Sequence, residues 1–279
     1  NKKNNYQLDF GAALNNNNEA LYESAYVTNY KNMQFIWFNQ KFSKLSLSFL
    51  ALNNGYQYEN LVENKFQVAY LQTLGTYGKW DTSKFYGDFG LYAQTGEAAI
   101  TNDKVAVGAY YAGFNLGYKF TNPFKAELGF EYLSGKDQND TDTKVKSFTP
   151  LFGTNHGFNG LMDYFYVGNH KNSVGLQDFY TKFIYDKNKW QVTLSPHLFY
   201  SAASVYNMTT LEEQDSYLGT EIDLTATYKL DKNFVISGGV SKMFASNTME
   251  ILKGGNNSNG NNWAWVMVSF NPQLFTYKK

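Results

Sequence analysis

Apolar and polar residues alternate one by one through most of this chain. In Phe124-Lys125-Ala126-Glu127-Leu128-Gly129-Phe130-Glu131-Tyr132, Phe, Ala, Leu, Phe and Tyr take one side and Lys, Glu, Gly and Glu the other. A strand sends successive side chains to opposite faces, so this pattern predicts a strand with one apolar face. About twelve such runs of roughly nine to thirteen residues occur, the length a tilted strand needs to cross a bilayer. They are Tyr6–Leu14, Met33–Phe42, Leu45–Leu52, Phe66–Leu74, Phe85–Gln94, Val105–Phe120, Phe124–Leu133, Gly175–Tyr185, Trp190–Tyr200, Leu218–Leu230, Phe234–Met243 and Trp263–Phe270. Val105–Phe120 changes face near Gly113, which predicts a β-bulge. Met33–Phe42 is apolar on both sides and its orientation is open. Pro196 sits inside a run although it cannot donate to a ladder.

The connections alternate in length. Short ones are expected at 41–46, 77–84, 120–124, 186–189 and 230–233. Long ones are expected at 15–32, 53–65, 95–104, 134–174, 201–217 and 245–262. A meander would gather the short turns at one end and the long loops at the other, as outer-membrane barrels do. A soluble sandwich with Greek-key crossovers has no reason to alternate so regularly. The longest break in the pattern is Phe148–His170, where Gly, Asn, His and aromatics mix. It predicts a long loop on a strand scaffold, where function commonly sits.

Composition narrows the classes. There are 23 Tyr, 23 Phe and 5 Trp, and a membrane barrel uses aromatics outward and at both interfaces. Lys balances Asp plus Glu at a formal charge of +0, which gives no field for nucleic acid. Every basic residue other than His is Lys, so arginine-based recognition of phosphate or carboxylate is absent. With 0 Cys there is no disulfide framework and no thiol chemistry. No apolar run is long enough for a transmembrane helix. No composition shift divides residues 1–279, so one domain is expected. The fold expected is all-β, a transmembrane antiparallel β-barrel with about twelve strands visible.

The runs FYGDFGLYAQTG (Phe85–Gly96), ELGFEYLSGKD (Glu127–Asp137), FTPLFGTNHGFNGLMDYFYVGNH (Phe148–His170) and WAWVMVSFNP (Trp263–Pro272) resemble the alginate-export family of outer-membrane porins, in its Bacteroidetes-type branch. Pro150–His156 is the most specific part. The resemblance implies a monomeric barrel of about eighteen strands with a loop-gated polar pore. By that measure this chain is the C-terminal part of a larger barrel, with strands upstream; a closed twelve-strand barrel is the alternative. The family's exporter lines its pore with arginines, and this chain has none. Alginate is therefore a poor expectation, and an outer-membrane channel a better one.

The polar face gives the candidate site. Asp9, Asp88, Glu127, Glu131, Asp178, Glu221 and Asp223 are placed inward with Lys119, Lys125, Lys182 and Lys229, a mixed and slightly acidic wall. Asn155, His156, Asn159 and Tyr164 are the candidate constriction within the 134–174 loop. His156 and His170 near Asp163 match no metal-ligand spacing. Ser195 and His197 share a strand face, but neighbours on one face are about 7 Å apart, beyond a direct bond. Trp190, with Trp37, is expected in an outward aromatic girdle; Trp263 and Trp265 fall inward. The expectation is a passive channel in a Gram-negative outer membrane, neither an enzyme nor a cofactor protein. Its surroundings are outer-membrane lipid and its solute a sugar or oligosaccharide. It is expected to be monomeric, with no partner protein named. The rival is a barrel plugged by its own loops that serves as a docking subunit.

Overall fold

A computed structural model describes residues 5–15, 29–100, 102–153, 157–273 and 275–276. Twelve antiparallel strands form one sheet in sequence order. They are β1 (Tyr6–Leu14), β2 (Asn32–Lys41), β3 (Leu45–Asn60), β4 (Lys65–Asp81), β5 (Phe85–Ala99) and β6 (Lys104–Lys119). After them come β7 (Phe124–Leu133), β8 (Leu176–Lys187), β9 (Trp190–Tyr200), β10 (Tyr217–Lys229), β11 (Phe234–Ala245) and β12 (Asn261–Phe270). A short helix α1 (Asn247–Lys253) lies between β11 and β12, with Ser246 as its N-cap. All twelve expected strands are present. Among the described residues β1 pairs only with β2 and β12 only with β11, so the sheet does not close on itself and the closed twelve-strand alternative is not what forms.

Three expectations need correction. Segments 53–65 and 95–104 are not long loops: β3 and β4 stay paired to Asn60 and Lys65, and β5 and β6 to Ala99 and Lys104. Polar residues such as Asn53, Asn54 and Gln57 broke the apolar alternation there without breaking the backbone ladder. The ladders of β6 with β5 and β7 run through Gly113 without a shift. The register shift lies instead at Tyr217/Gly219, where β10 meets β9. Trp37 stands opposite Asp9 and Leu50, on the face of the charged residues rather than on the apolar face. Both faces of β2 are apolar, so only pairing could orient it. Pro196 is accommodated by a gap: the β8–β9 register lapses between Tyr180/His197 and Phe183/Leu194.

The two faces of the sheet differ in a decisive way. One face carries Phe10, Ile36, Phe49, Leu74, Leu91, Phe114 and Leu128, all exposed. It continues through Phe183, Leu194, Leu224 and Val240, which stand opposite one another across four strands. Leu128 is 63% exposed and Val266 80%. The other face is polar and buried: Ser48, Thr73, Gln94, Asp178, His197, Glu221, Asp223 and Ser241 are all covered. We call these the bare face and the covered face.

At the long-loop half of the sheet, what covers this face is the segment of residues 134–153 and 157–175. Gln94 of β5 binds it with both ends of its amide, donating to Thr149 O and accepting from Thr149 N. Val145 makes an isolated parallel bridge with Val107. Ser134 Oγ donates to Lys146 O and accepts from Tyr110 N. Val145, Phe148 and Phe165 then pack with Leu133, Leu176, Phe199, Leu218, Met243 and Met249 of α1 in the principal apolar core. That core lies where the strands meet the long loops, at the opposite end from the short turns.

Candidate functional site

The tip of the covering segment is pinned by carboxylates from the sheet. Asn159 has φ 58° and is buried. Its Nδ2 donates to Glu131 Oε2 at 2.8 Å and to Asp178 Oδ2 at 3.2 Å. Gly160 follows at φ 84°, and Leu161 and Met162 donate their backbone N–H groups to Glu221 Oε1 at 2.6 and 2.9 Å. Asn tolerates positive φ better than most residues and Gly adopts it freely, which turns two successive N–H groups toward one carboxylate.

The carboxylates meet because of strand register. Glu131 stands opposite Asp178, His197 opposite Tyr180 and Glu221, and Asp223 opposite Ser195 and Ser241. His197 Nδ1 lies 3.0 Å from Asp178, and its Nε2 lies 4.0 Å from Asp223 Oδ2. Tyr111 donates its hydroxyl to Glu131 Oε1 at 3.1 Å. Asp178 and Glu221 are 0% exposed and Asp223 2%. The cluster was legible only in part from sequence: period two gave the face, but which carboxylates meet depended on pairings between strands.

Toward the short turns the wall becomes a ladder of ion pairs. Glu127 accepts from Tyr86 Oη at 2.9 Å and lies 3.9 Å from Lys182 Nζ. Lys125 pairs with Asp186 at 3.1 Å, and Lys119 with Asp81. Asp88 stands opposite Lys79 and Asn115, and Asp9 accepts from Gln7. All eleven of the charged positions placed inward from the sequence therefore lie on the covered face. Asp81, Tyr86 and Asp186, which sit at strand ends, were missed as partners.

Two cavities lie between the loop and the sheet. One of about 380 Å³ is lined by Leu50, Leu52, Tyr92, Phe148 and Asp88 among others. The second, about 340 Å³, is lined by Glu127, Lys182, Ser195, His197 and Asp223 among others. Glu131, Phe158, Asn159 and Tyr180 line both and so form the partition between them.

Of the residues expected in a constriction, Asn159 is in that partition. Tyr164 instead packs on the apolar core. Asn155 and His156 lie outside the described residues. His170 is buried, its Nε2 3.2 Å from Phe165 O, and burial pushes it down to about 4. Ser195 faces Asp223, and no hydrogen bond joins it to His197. Among the described residues, the Asp178–His197 pair has no serine hydrogen-bonded to it. Trp263 and Trp265 stand opposite Ser241 and Gly239, on the covered face as expected.

No family model matches the chain, and no curated protein resembles it in sequence. The alginate-export resemblance therefore has no counterpart in these comparisons. Among solved structures the chain is similar to one described as "Copper transporter OprC", at 13% identity and a TM-score of 0.39. The match covers 78% of this chain and 38% of that one, so the chain spans well under half of its length.

Proposed function

We propose that this chain forms wall and constriction of a channel in a bacterial outer membrane, passing small polar solutes down their gradient. The observation that carries the reading is the inverted burial of the sheet. Large apolar side chains cover the face that is bare, and ionisable ones the face that is buried. A soluble sheet protein does the reverse with at least one face, because exposed apolar patches of this extent are not stable in water. In a bilayer the bare face contacts lipid and the covered face lines a polar interior. At about 3.3 Å per residue, the longest strand outruns the roughly 30 Å hydrocarbon layer. The polar far ends of β3 and β4 suit the surplus length, which stands in water.

The mixed wall of Glu127, Lys182, Asp88, Lys125 and Asp186 suits hydrated solutes of low charge, including sugars and oligosaccharides. The plugged reading has one observation in its favour: the loop is held by a dozen-residue apolar core rather than by solvent-exposed contacts alone. Planar-bilayer conductance separates the two. A steady current with weak cation preference supports the channel. Silence, both in the intact chain and after residues 136–173 are replaced by a short linker, overturns it in favour of a docking subunit.

A further inference from the structure

The cavity of about 380 Å³ differs from its neighbour in being walled largely by rings. Tyr92 stands directly opposite Gly75, and its ring fills the space a side chain at Gly75 would need. Tyr180 does the same over Gly129, across the β7–β8 pair. Both rings are thus laid along the sheet, and both line the cavity. Tyr111 continues the surface, its ring centroid 6.0 Å from that of Tyr92. Phe158 lines the same cavity from the loop and is 49% exposed, and Tyr77 is 38% exposed, so the space is open to a solute. The hydroxyls of Tyr77, Tyr92 and Tyr180 bond to no described residue, and those of Tyr92 and Tyr180 are not sealed from solvent.

Such a lining selects by what it leaves unsatisfied. A purely apolar guest would strand Asp88 and three hydroxyls without partners, and unmade polar contacts are costly. A charged guest finds its counter-charges taken. Asp88 stands opposite Lys79, and both oxygens of Glu131 already accept, from Tyr111 and Asn159. A pyranose has both kinds of surface: C–H bonds on its flat faces, which suit the electron-rich faces of aromatic rings, and hydroxyls round its edge that donate and accept. The volume lies in the range that holds a small organic ligand. We propose that the cavity bounded by Tyr92, Tyr180 and Phe158 is a subsite for one neutral pyranose unit, stacked on the tyrosine rings with its hydroxyls bonded to Tyr77, Tyr92, Tyr180 and Asp88. The inference rests on reading the covered face as a solute path and names the class of solute held there.

The test is saturation-transfer NMR of the full chain in an amine-oxide detergent, which brings no sugar of its own. The probes are methyl β-glucoside, glucitol, glucuronate and choline. Glucitol keeps the hydroxyls without the ring, glucuronate adds a negative charge, and choline is a cation that aromatic rings also attract. The expected result is transfer to the ring C–H protons of methyl β-glucoside and little to the other three. Tyr92→Leu keeps an apolar side chain without a ring face and is expected to weaken binding about three- to tenfold, the scale of one aromatic contact. Phe158→Leu, at an exposed loop position, is expected to weaken it by a similar factor and carries the test by itself if Tyr92→Leu does not fold. Equal transfer to glucitol, stronger transfer to glucuronate or choline, no transfer to the glucoside, or binding unchanged by the variants each overturns the site. Conductance is measured separately. Binding without current keeps the site and overturns the channel; current without binding does the opposite.

Discussion

A Cβ placed on Gly160 would stand 2.6 Å from Glu221 Oε1, well inside van der Waals contact. Gly160 also has φ 84°, which an alanine adopts only with strain. The loop tip and the wall of β10 are thus fitted to one another with no room for a methyl group. Gly160→Ala is expected to undock residues 159–162 at a cost of about 1–3 kcal/mol. Faster amide exchange at Leu161 and Met162, with strand amides unchanged, is the measurement. Unchanged exchange there would show that the tip is not seated on Glu221.

That fit marks where sequence reading stopped. The twelve strands were legible because each needs only a local period of two, and the acidic face followed with them. Loop docking was not, because Asn159 meets Glu131 and Asp178 through contacts 28 and 19 residues away in sequence. The far ends of β3 to β6 were hidden for another reason. Residues 53–60 read Asn-Asn-Gly-Tyr-Gln-Tyr-Glu-Asn, with polar side chains on both faces, so periodicity gave no sign that β3 continues. Trp37 was misplaced because both faces of β2 are apolar, and only its pairing with Asp9 and Leu50 decides between them.

Glu221 accepts two backbone N–H groups, so its replacement by Ala leaves both donors orphaned. Hydrogen bonds to charged groups contribute roughly 1.5–3 kcal/mol each. Glu221→Ala is expected to release the tip more fully than Glu221→Gln, whose amide oxygen still accepts. In a planar bilayer the Ala variant should show larger or noisier single-channel current than the Gln variant. Identical currents would mean that the tip does not limit passage.

Phe165 and Phe199 pack with ring centroids 4.8 Å apart, and both are buried where loop meets sheet. Phe165→Ala should cost about 3–5 kcal/mol, the range for emptying a core site of a large aromatic. Because Phe165 belongs to the loop, the loss should show as protease cleavage between residues 136 and 173. The strands should survive in the same digest. Cleavage throughout the sheet would place Phe165 in the framework instead.

Leu128 and Glu127 are neighbours on β7 that point to opposite faces, which makes them a paired test of orientation. Leu128→Lys puts a charge on the bare face, where a cation at mid-bilayer costs about 2–4 kcal/mol. It should impair insertion into liposomes. Glu127→Gln removes a charge from the covered face and its contact with Lys182. That variant should insert normally and shift ion selectivity toward anions. If both insert equally well, the bare face does not contact lipid.

His170 makes loop docking depend on pH. It is buried, with its ring near Phe165 O and the cation of Lys253 nearby, and burial holds it down to about 4 against an ordinary value near 6.5. Above pH 6.5 the ring is neutral whether the loop is docked or free, and docking has its full stability. As pH falls from 6.5 toward 4 the free loop takes up the proton while the docked loop does not. Docking therefore weakens through this window by about 3 kcal/mol in all, and the slope ends below pH 4. Amide exchange of residues 165–170 between pH 4 and 7, corrected for intrinsic rates, reads this directly. The comparison is with His170→Gln, which keeps the loop and removes the titrating ring. That variant should lose the part of the slope between pH 5 and 6.5, and a slope retained there would assign it to another group.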